Sequence, residues 1–88
     1  MCELPREACD LVLMRMEQAV LKRDTKALQL AAGEMEQLLK GYDAKDATKA
    51  AVVLGIMGRV GDADNAPKVF QYLKRALIAF ETGESIGG

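Results

Sequence analysis

The spacing of apolar and small residues in the segment VLGIMGRVGDADNAPKVFQYL, residues 53–73, constrains the fold more than any other feature. An apolar pair, Val53 and Leu54, is followed by Gly61, and glycine closes helices because it adopts left-handed backbone angles at little steric cost. Apolar residues then recur at intervals of four and three residues, which is typical of one helix face, at Ala66, Phe70 and Leu73. The segment therefore predicts a helical hairpin in which Ala66 and Phe70 form the contact between the two helices.

The rest of the chain predicts two further helices. The four helices cover residues 5–22, then a stretch from a cap at Asp24 or Thr25 to Gly41, then residues 47–60, and finally a stretch from a cap at Asp64 or Asn65 to about residue 80. Pro5 suits the first position of the first helix. The third helix is expected to take its cap from Asp43 or Asp46.

Each predicted helix carries one apolar stripe that should face a common core. The four stripes are Cys9, Val12, Leu13, Met16 and Val20; Leu28, Ala31, Met35, Leu38 and Leu39; Ala50, Val53, Leu54 and Met57; and Ala66, Val69, Phe70, Leu73, Leu77 and Phe80. Gly55 and Gly58 share a face of the third helix, where they would permit close approach of a neighbouring backbone.

Length and composition place these helices in one small domain. The chain has 88 residues, half of them apolar and only 5% aromatic, so its core must be built mainly from Leu, Val, Ala and Met. We predict an all-α fold with four helices as two antiparallel helical hairpins, either a small bundle or a two-unit solenoid. Residues 1–82 form the domain and residues 83–88, which are polar and glycine-rich, form a flexible tail.

The residue inventory argues against catalysis and against a bound cofactor or metal. The chain has no histidine, which removes the commonest general base, and its two cysteines alone cannot make a standard zinc site. The glycines at positions 55, 58 and 61 suggest a phosphate loop only superficially, because no strand precedes them. Helix packing explains them better, and we expect a protein that is not an enzyme.

Charge and hydropathy restrict the partners and the compartment. The net charge is −1 with both signs interspersed, which argues against a nucleic-acid partner. No apolar run approaches the ~20 residues that span a bilayer, so no membrane span is expected. The first residues do not form a secretory signal, and Cys2 and Cys9 would lie too far apart for a disulfide on one helix. A soluble protein, intracellular or organellar rather than secreted, is the expectation.

Apolar residues that fall off the core stripes indicate an interaction surface. On the first helix they are Leu11, Met14 and Leu21, and on the third they are Val52 and Ile56. A helix that is apolar on so much of its circumference is either central in its bundle or covered by a partner. We therefore predict a small adaptor or accessory subunit that uses these five residues to bind another protein or a multi-subunit complex, possibly a second copy of itself.

The predicted hairpin also resembles a known repeat. Val53, Leu54, Gly61, Ala66, Phe70 and Leu73 have the spacing of one tetratricopeptide or, more closely, pentatricopeptide repeat, and the resemblance covers residues 50–77. The first hairpin matches loosely, since residues 24–27 align with residues 63–66 at an offset of 39. The resemblance implies a binding scaffold, and through the pentatricopeptide family it gives the alternative of an RNA-associated helical-repeat protein.

Overall fold

The computed structural model describes residues 5–82, and this part of the chain folds into four α-helices without any strand. They are α1 (Arg6–Lys22), α2 (Thr25–Leu39), α3 (Lys45–Val60) and α4 (Ala66–Thr82). The predicted all-α class and the predicted number of helices are confirmed. The predicted tail, residues 83–88, and Cys2 lie outside the described residues.

The helices form a small bundle. Each helix packs against its neighbours in the chain, and α1 also contacts α4, whereas α1 and α3 do not meet and neither do α2 and α4. The most extensive contact is that between α2 and α3. The molecule measures 36 × 27 × 18 Å, and the shortest dimension corresponds to two helices packed at their usual separation.

Helices α1 and α3 end in the same way. Beyond the end of α1, the Asp24 N–H donates to the Ala19 carbonyl at 2.9 Å, and beyond the end of α3 the Asp62 N–H donates to the Met57 carbonyl at 2.8 Å. This bond closes a helix through a left-handed residue, and that residue is Gly61 with φ of 80° after α3, as predicted. After α1 the same role falls to Arg23, with φ of 57°.

The starts of the helices agree less well with the predictions. Asp24 does cap α2, because its Oδ1 accepts a hydrogen bond from the Ala27 N–H at 3.1 Å. Pro5 is the residue before α1 rather than its first residue. The predicted cap of α3 by Asp43 or Asp46 is wrong, because α3 begins two residues earlier than expected and Ala44 precedes it without a side-chain bond.

The core is rich in alanine, and none of the polar side chains within residues 5–82 is buried in it. Ten of its twenty buried apolar residues are alanines, and its largest fully buried side chains are Met16, Leu28, Met35, Leu39, Leu54 and Leu73. The predicted stripe of α3 is partly wrong, since Val53 is only half-buried while Ala47 and Ala51 are buried. The buried face of α3 is therefore rotated toward its smallest side chains, which allows α2 to approach closely.

Gly58 marks the closest approach between α2 and α3. A Cβ atom added to Gly58 would stand 2.7 Å from the Thr25 carbonyl oxygen and 2.7 Å from the Gln29 backbone nitrogen. Contacts this short with backbone atoms cannot be relieved by rotating a side chain. At Gly55, by contrast, the nearest atom would be the Ala32 Cβ at 3.7 Å, an ordinary contact. The predicted close approach is thus confirmed at Gly58.

The α3–α4 hairpin buries the residues that the sequence assigns to it. Ala66, Phe70 and Leu73 are respectively 1%, 3% and 0% exposed, and all three belong to the core cluster. The Lys74 Nζ lies 5.5 Å from the centre of the Phe70 ring, where a cation is attracted to the aromatic face. Phe70 also lines a groove between α4 and α1.

Replacing Gly58 with alanine should destabilise the fold, although alanine favours helices by about 1 kcal/mol over glycine. The new methyl group would force α2 away from α3, which we expect to cost about 1–3 kcal/mol in free energy of unfolding. Gly33→Ala is the matched control, because Gly33 lies in α2 with no atom within 4 Å of an added Cβ. The free energy of unfolding of Gly33→Ala should rise by up to about 1 kcal/mol. Urea unfolding measures both, and equal effects would contradict the close contact.

Replacing Phe70 with alanine should remove the main anchor of the α3–α4 hairpin and cost about 3–5 kcal/mol. Ala66→Leu should overpack the same contact for about 1–3 kcal/mol. Lys68→Ala is the control, because Lys68 is exposed on the same helix and should change stability by less than about 0.5 kcal/mol. The hairpin contact would be refuted if Phe70→Ala were as mild as Lys68→Ala in thermal and urea unfolding.

Candidate interaction surface

All five predicted interface residues are exposed in the folded chain. Leu11, Met14 and Leu21 retain 56%, 59% and 71% of their accessible surface, and Val52 and Ile56 retain 39% and 44%. The first three form the α1 outer face and the other two form the α3 outer face. Because α1 and α3 do not meet, the structure separates the five residues into two surfaces with α2 between them.

A groove between α1 and α2 borders the α1 outer face. Its volume is about 460 Å³, and its lining is mainly apolar, with Met14 on one side and Leu30 on the other. Leu30 is 71% exposed. The sequence-based prediction of the interface did not include it, although Leu30 follows the same criterion of an apolar residue off the core stripe. The groove gives the α1 outer face a concave neighbour.

Charged side chains of both signs surround this α1–α2 groove. Arg15 Nη1 donates to Glu34 Oε1 at 3.1 Å and to Glu34 Oε2 at 2.8 Å, which ties α1 to α2 across the groove. Lys22 and Asp24 lie at one end of it. Both partners of the Arg15–Glu34 pair are exposed, so its contribution to stability is about 0–1 kcal/mol. Its position matters more, since it sets charges beside the exposed apolar side chains.

The α3 outer face borders a second groove on the other side of α2. This groove has a volume of about 310 Å³ and is lined by Val52 and Ile56 together with Gly33 and the polar residues Gln29, Glu36 and Arg59. Its lining is more polar than that of the α1–α2 groove. Three further exposed apolar residues, which the sequence prediction also left out, lie at Val60, Tyr72 and Ile78.

The turns of the two hairpins lie together at one end of the bundle. Arg23, in the turn between α1 and α2, forms an ion pair with Asp64, in the turn between α3 and α4. Asp62 accepts bonds from the Asn65 side-chain amide at 3.1 Å and from the Asn65 N–H at 3.3 Å. These two bonds, the side-chain bond first, lower the pKa of the Asp62 carboxyl below its ordinary value. The turn therefore favours the ionised form of this carboxyl.

The Cys9 thiol is poorly suited to act as a nucleophile. Burial raises the pKa of the Cys9 thiol, and the carboxylates of Asp10 and Glu81 raise it further. A thiol with a raised pKa is a poor nucleophile at neutral pH.

Within residues 5–82, no group of three or more potential ligands is placed to hold a metal ion. None of the described helices has the length and apolar character needed to cross a bilayer.

Comparison with known proteins identifies no relative of this chain. No family model matches the chain, and neither the curated proteins nor the solved structures contain a match.

Arg23 offers a direct test of the turn geometry. A non-glycine residue in the left-handed region costs about 1 kcal/mol, so Arg23→Gly should be more stable than Arg23→Ala by about that amount. Arg23→Ala is the matched control, because both variants lose the ion pair with Asp64 and only one relieves the backbone. Urea unfolding of the two variants measures the difference. A glycine variant no more stable than the alanine variant would contradict the left-handed conformation.

Proposed function

We propose that this chain is a non-enzymatic interaction module, a small adaptor or accessory subunit of a larger protein assembly. The carrying observation is the α1 outer face, where Leu11, Met14 and Leu21 are each more than half exposed beside a mainly apolar groove. Large apolar side chains grouped in this way on a small domain usually mark a contact with another macromolecule.

The physical gain comes from removing these side chains from water. Burial of apolar surface contributes about 25 cal/mol per Å². A leucine that is mostly exposed in the free chain can therefore still contribute most of its burial free energy when a partner covers it. The groove between α1 and α2 is mainly apolar, and the docking of an apolar helix face in such a groove is a common mode of recognition. Met14 supports this role because its flexible side chain adapts to different partners. The Arg15–Glu34 pair at the rim supplies hydrogen-bonding groups that orient the partner.

The α3 outer face provides a second, weaker contact in this proposal. Val52 and Ile56 are less exposed than the residues of the α1 outer face, and polar side chains line the groove beside them. Because α2 separates the two faces, a single short helix cannot cover both. An adaptor that joins two partners would use one face for each, whereas an accessory subunit would insert α2 and its flanking grooves into one larger surface.

A second candidate function is binding of RNA through a degenerate helical repeat. It has the pentatricopeptide resemblance of residues 50–77 and one feature of α4 in its favour. Lys68, Tyr72 and Arg75 are exposed and recur at intervals of four and three residues, so they share one face of the helix. A tyrosine between basic residues can stack on a base while the cations contact phosphates. The net charge of −1 favours the protein-binding function over this one.

Replacing both Leu11 and Leu21 with aspartate should abolish partner binding and leave the fold intact. Both side chains are exposed in the free chain, so the free energy of unfolding should change by less than about 1 kcal/mol. At an interface, the two carboxylates would be buried without partners and binding should fall at least about a hundredfold. Affinity capture from the source cell, sedimentation velocity and circular dichroism measure partner loss, association and helicity respectively.

The matched control replaces an equally exposed apolar residue of α4, outside the proposed surfaces, as Ile78→Asp. This control should retain the partner. If the Leu11 and Leu21 variant also retains every captured protein and its association state, the α1 outer face is not the binding surface. A titration with single-stranded RNA separates the second candidate, since saturable binding that is lost in Lys68→Glu with Arg75→Glu would favour RNA over protein.

A further inference from the structure

The residues along the exposed side of α1 recur with a regular spacing. Leu11, Met14, Gln18 and Leu21 are spaced by three, four and three residues, which is the a and d pattern of a two-heptad coiled coil. All four are exposed. They lie on the side of α1 opposite its buried residues, Cys9, Val12, Met16 and Ala19. Helix α1 therefore presents one apolar stripe to its own bundle and a second stripe, interrupted only by Gln18, to solvent.

The two flanks of this outer stripe carry opposite charges. Asp10 and Glu17 precede its a positions and occupy the g positions, while Arg15 and Lys22 follow its d positions and occupy the e positions. The structure places these flanks on different sides of α1. Arg15 and Lys22 line the groove toward α2, and Glu17 lines a groove of about 300 Å³ toward α4. One flank is thus acidic and the other is basic.

We propose that α1 pairs in parallel with α1 of a second copy of this chain; the inference rests on the proposed function and names its partner. In a parallel pair, each g residue meets the e residue five positions further along the other helix. Asp10 then faces Arg15 of the second copy, and Glu17 faces Lys22. In an antiparallel pair, g faces g and e faces e, which would set Glu17 against acidic residues and Lys22 against basic ones. The charges therefore select the parallel arrangement.

Two details of the stripe fit a parallel pair. Gln18 occupies one a position, and a single polar residue there fixes register at some cost in affinity. Arg15 uses only Nη1 for its bonds to Glu34, which leaves Nη2 and Nε to donate to a carboxylate of the second copy. With only three large apolar side chains per copy, the interface is small. The dimer should therefore be weak and depend on concentration, with a Kd in the micromolar range or above.

A charge exchange tests the proposal on the full chain. Sedimentation equilibrium of the unaltered protein should show a monomer–dimer equilibrium. Glu17→Lys and Lys22→Glu should each raise the dimer Kd at least about fivefold, since each places like charges at both symmetric pairs. The double variant exchanges the charges and should return the Kd to within about twofold of the original value. Lys68→Glu, which changes charge by the same amount on α4, should leave the Kd unchanged.

Cross-linking tests the register. In a parallel pair, identical a positions adjoin the two-fold axis, so Gln18→Cys should form a disulfide-linked dimer under mild oxidation in a chain that also carries Cys2→Ser and Cys9→Ala. Lys49→Cys is the control, because Lys49 is exposed on α3, a helix that does not contact α1. It should remain monomeric on a non-reducing gel.

Several results would overturn the parallel dimer. Tighter association in Glu17→Lys would indicate an antiparallel pair. Equal cross-linking at positions 18 and 49 would indicate random collision. A chain that stays monomeric up to about 1 mM would exclude the dimer at any useful affinity. If that monomer still captured a partner that the Leu11 and Leu21 variant loses, the interaction function would stand without the dimer. If the Leu11 and Leu21 variant kept every captured protein, both the dimer and the interaction function would be refuted.

Discussion

The contact of Gly58 with the backbone of α2 determines how the rest of the bundle is arranged. Because no Cβ intervenes, the Thr25–Gln29 segment of α2 lies directly on α3, and this pair of helices shares the largest contact in the molecule. The small side chains of Ala32 and Ala51, both fully buried, are consistent with the same close approach. Helices α1 and α4 are then added on either side of this central pair. The outer faces of α1 and α3 stay apart because these two helices do not meet and α2 lies between them.

The sequence predicts the helices better than it predicts their pairing. Periodicity locates all four helices, and the side-chain chemistry of Asp24 and the backbone freedom of Gly61 locate two of their ends, because these are local effects. The start of α3 at Lys45 could not be predicted in this way. Ala44 has no capping group, so the start of the helix depends on the burial of Ala44 and Ala47 in the core. The left-handed Arg23 is likewise set by the turn around it, since nothing in an arginine favours that conformation.

The candidate surface was partly predictable for a related reason. Leu11, Met14, Leu21, Val52 and Ile56 stand out as apolar residues off the core stripes, and all five are exposed. Their division into two surfaces depends on the order of helices around the bundle, which periodicity does not contain. The sequence does not single out Leu30, because it is one isolated apolar residue on the polar side of α2. Its place in the surface follows only from the groove that it shares with Met14. The sequence predicts Val53 in the buried stripe of α3, whereas alanines take that place because they are the better fit to a close helix contact.

The alanine-rich interior has a consequence for the entropy of folding. An alanine side chain has no rotamers to lose, whereas each buried leucine or methionine gives up about 0.5–2 kcal/mol of conformational freedom. Half of the buried residues therefore become ordered at no side-chain cost. The side-chain entropy lost on folding therefore falls on the larger buried residues, Met16 and Met35 among them, while Met14 keeps its freedom at the surface.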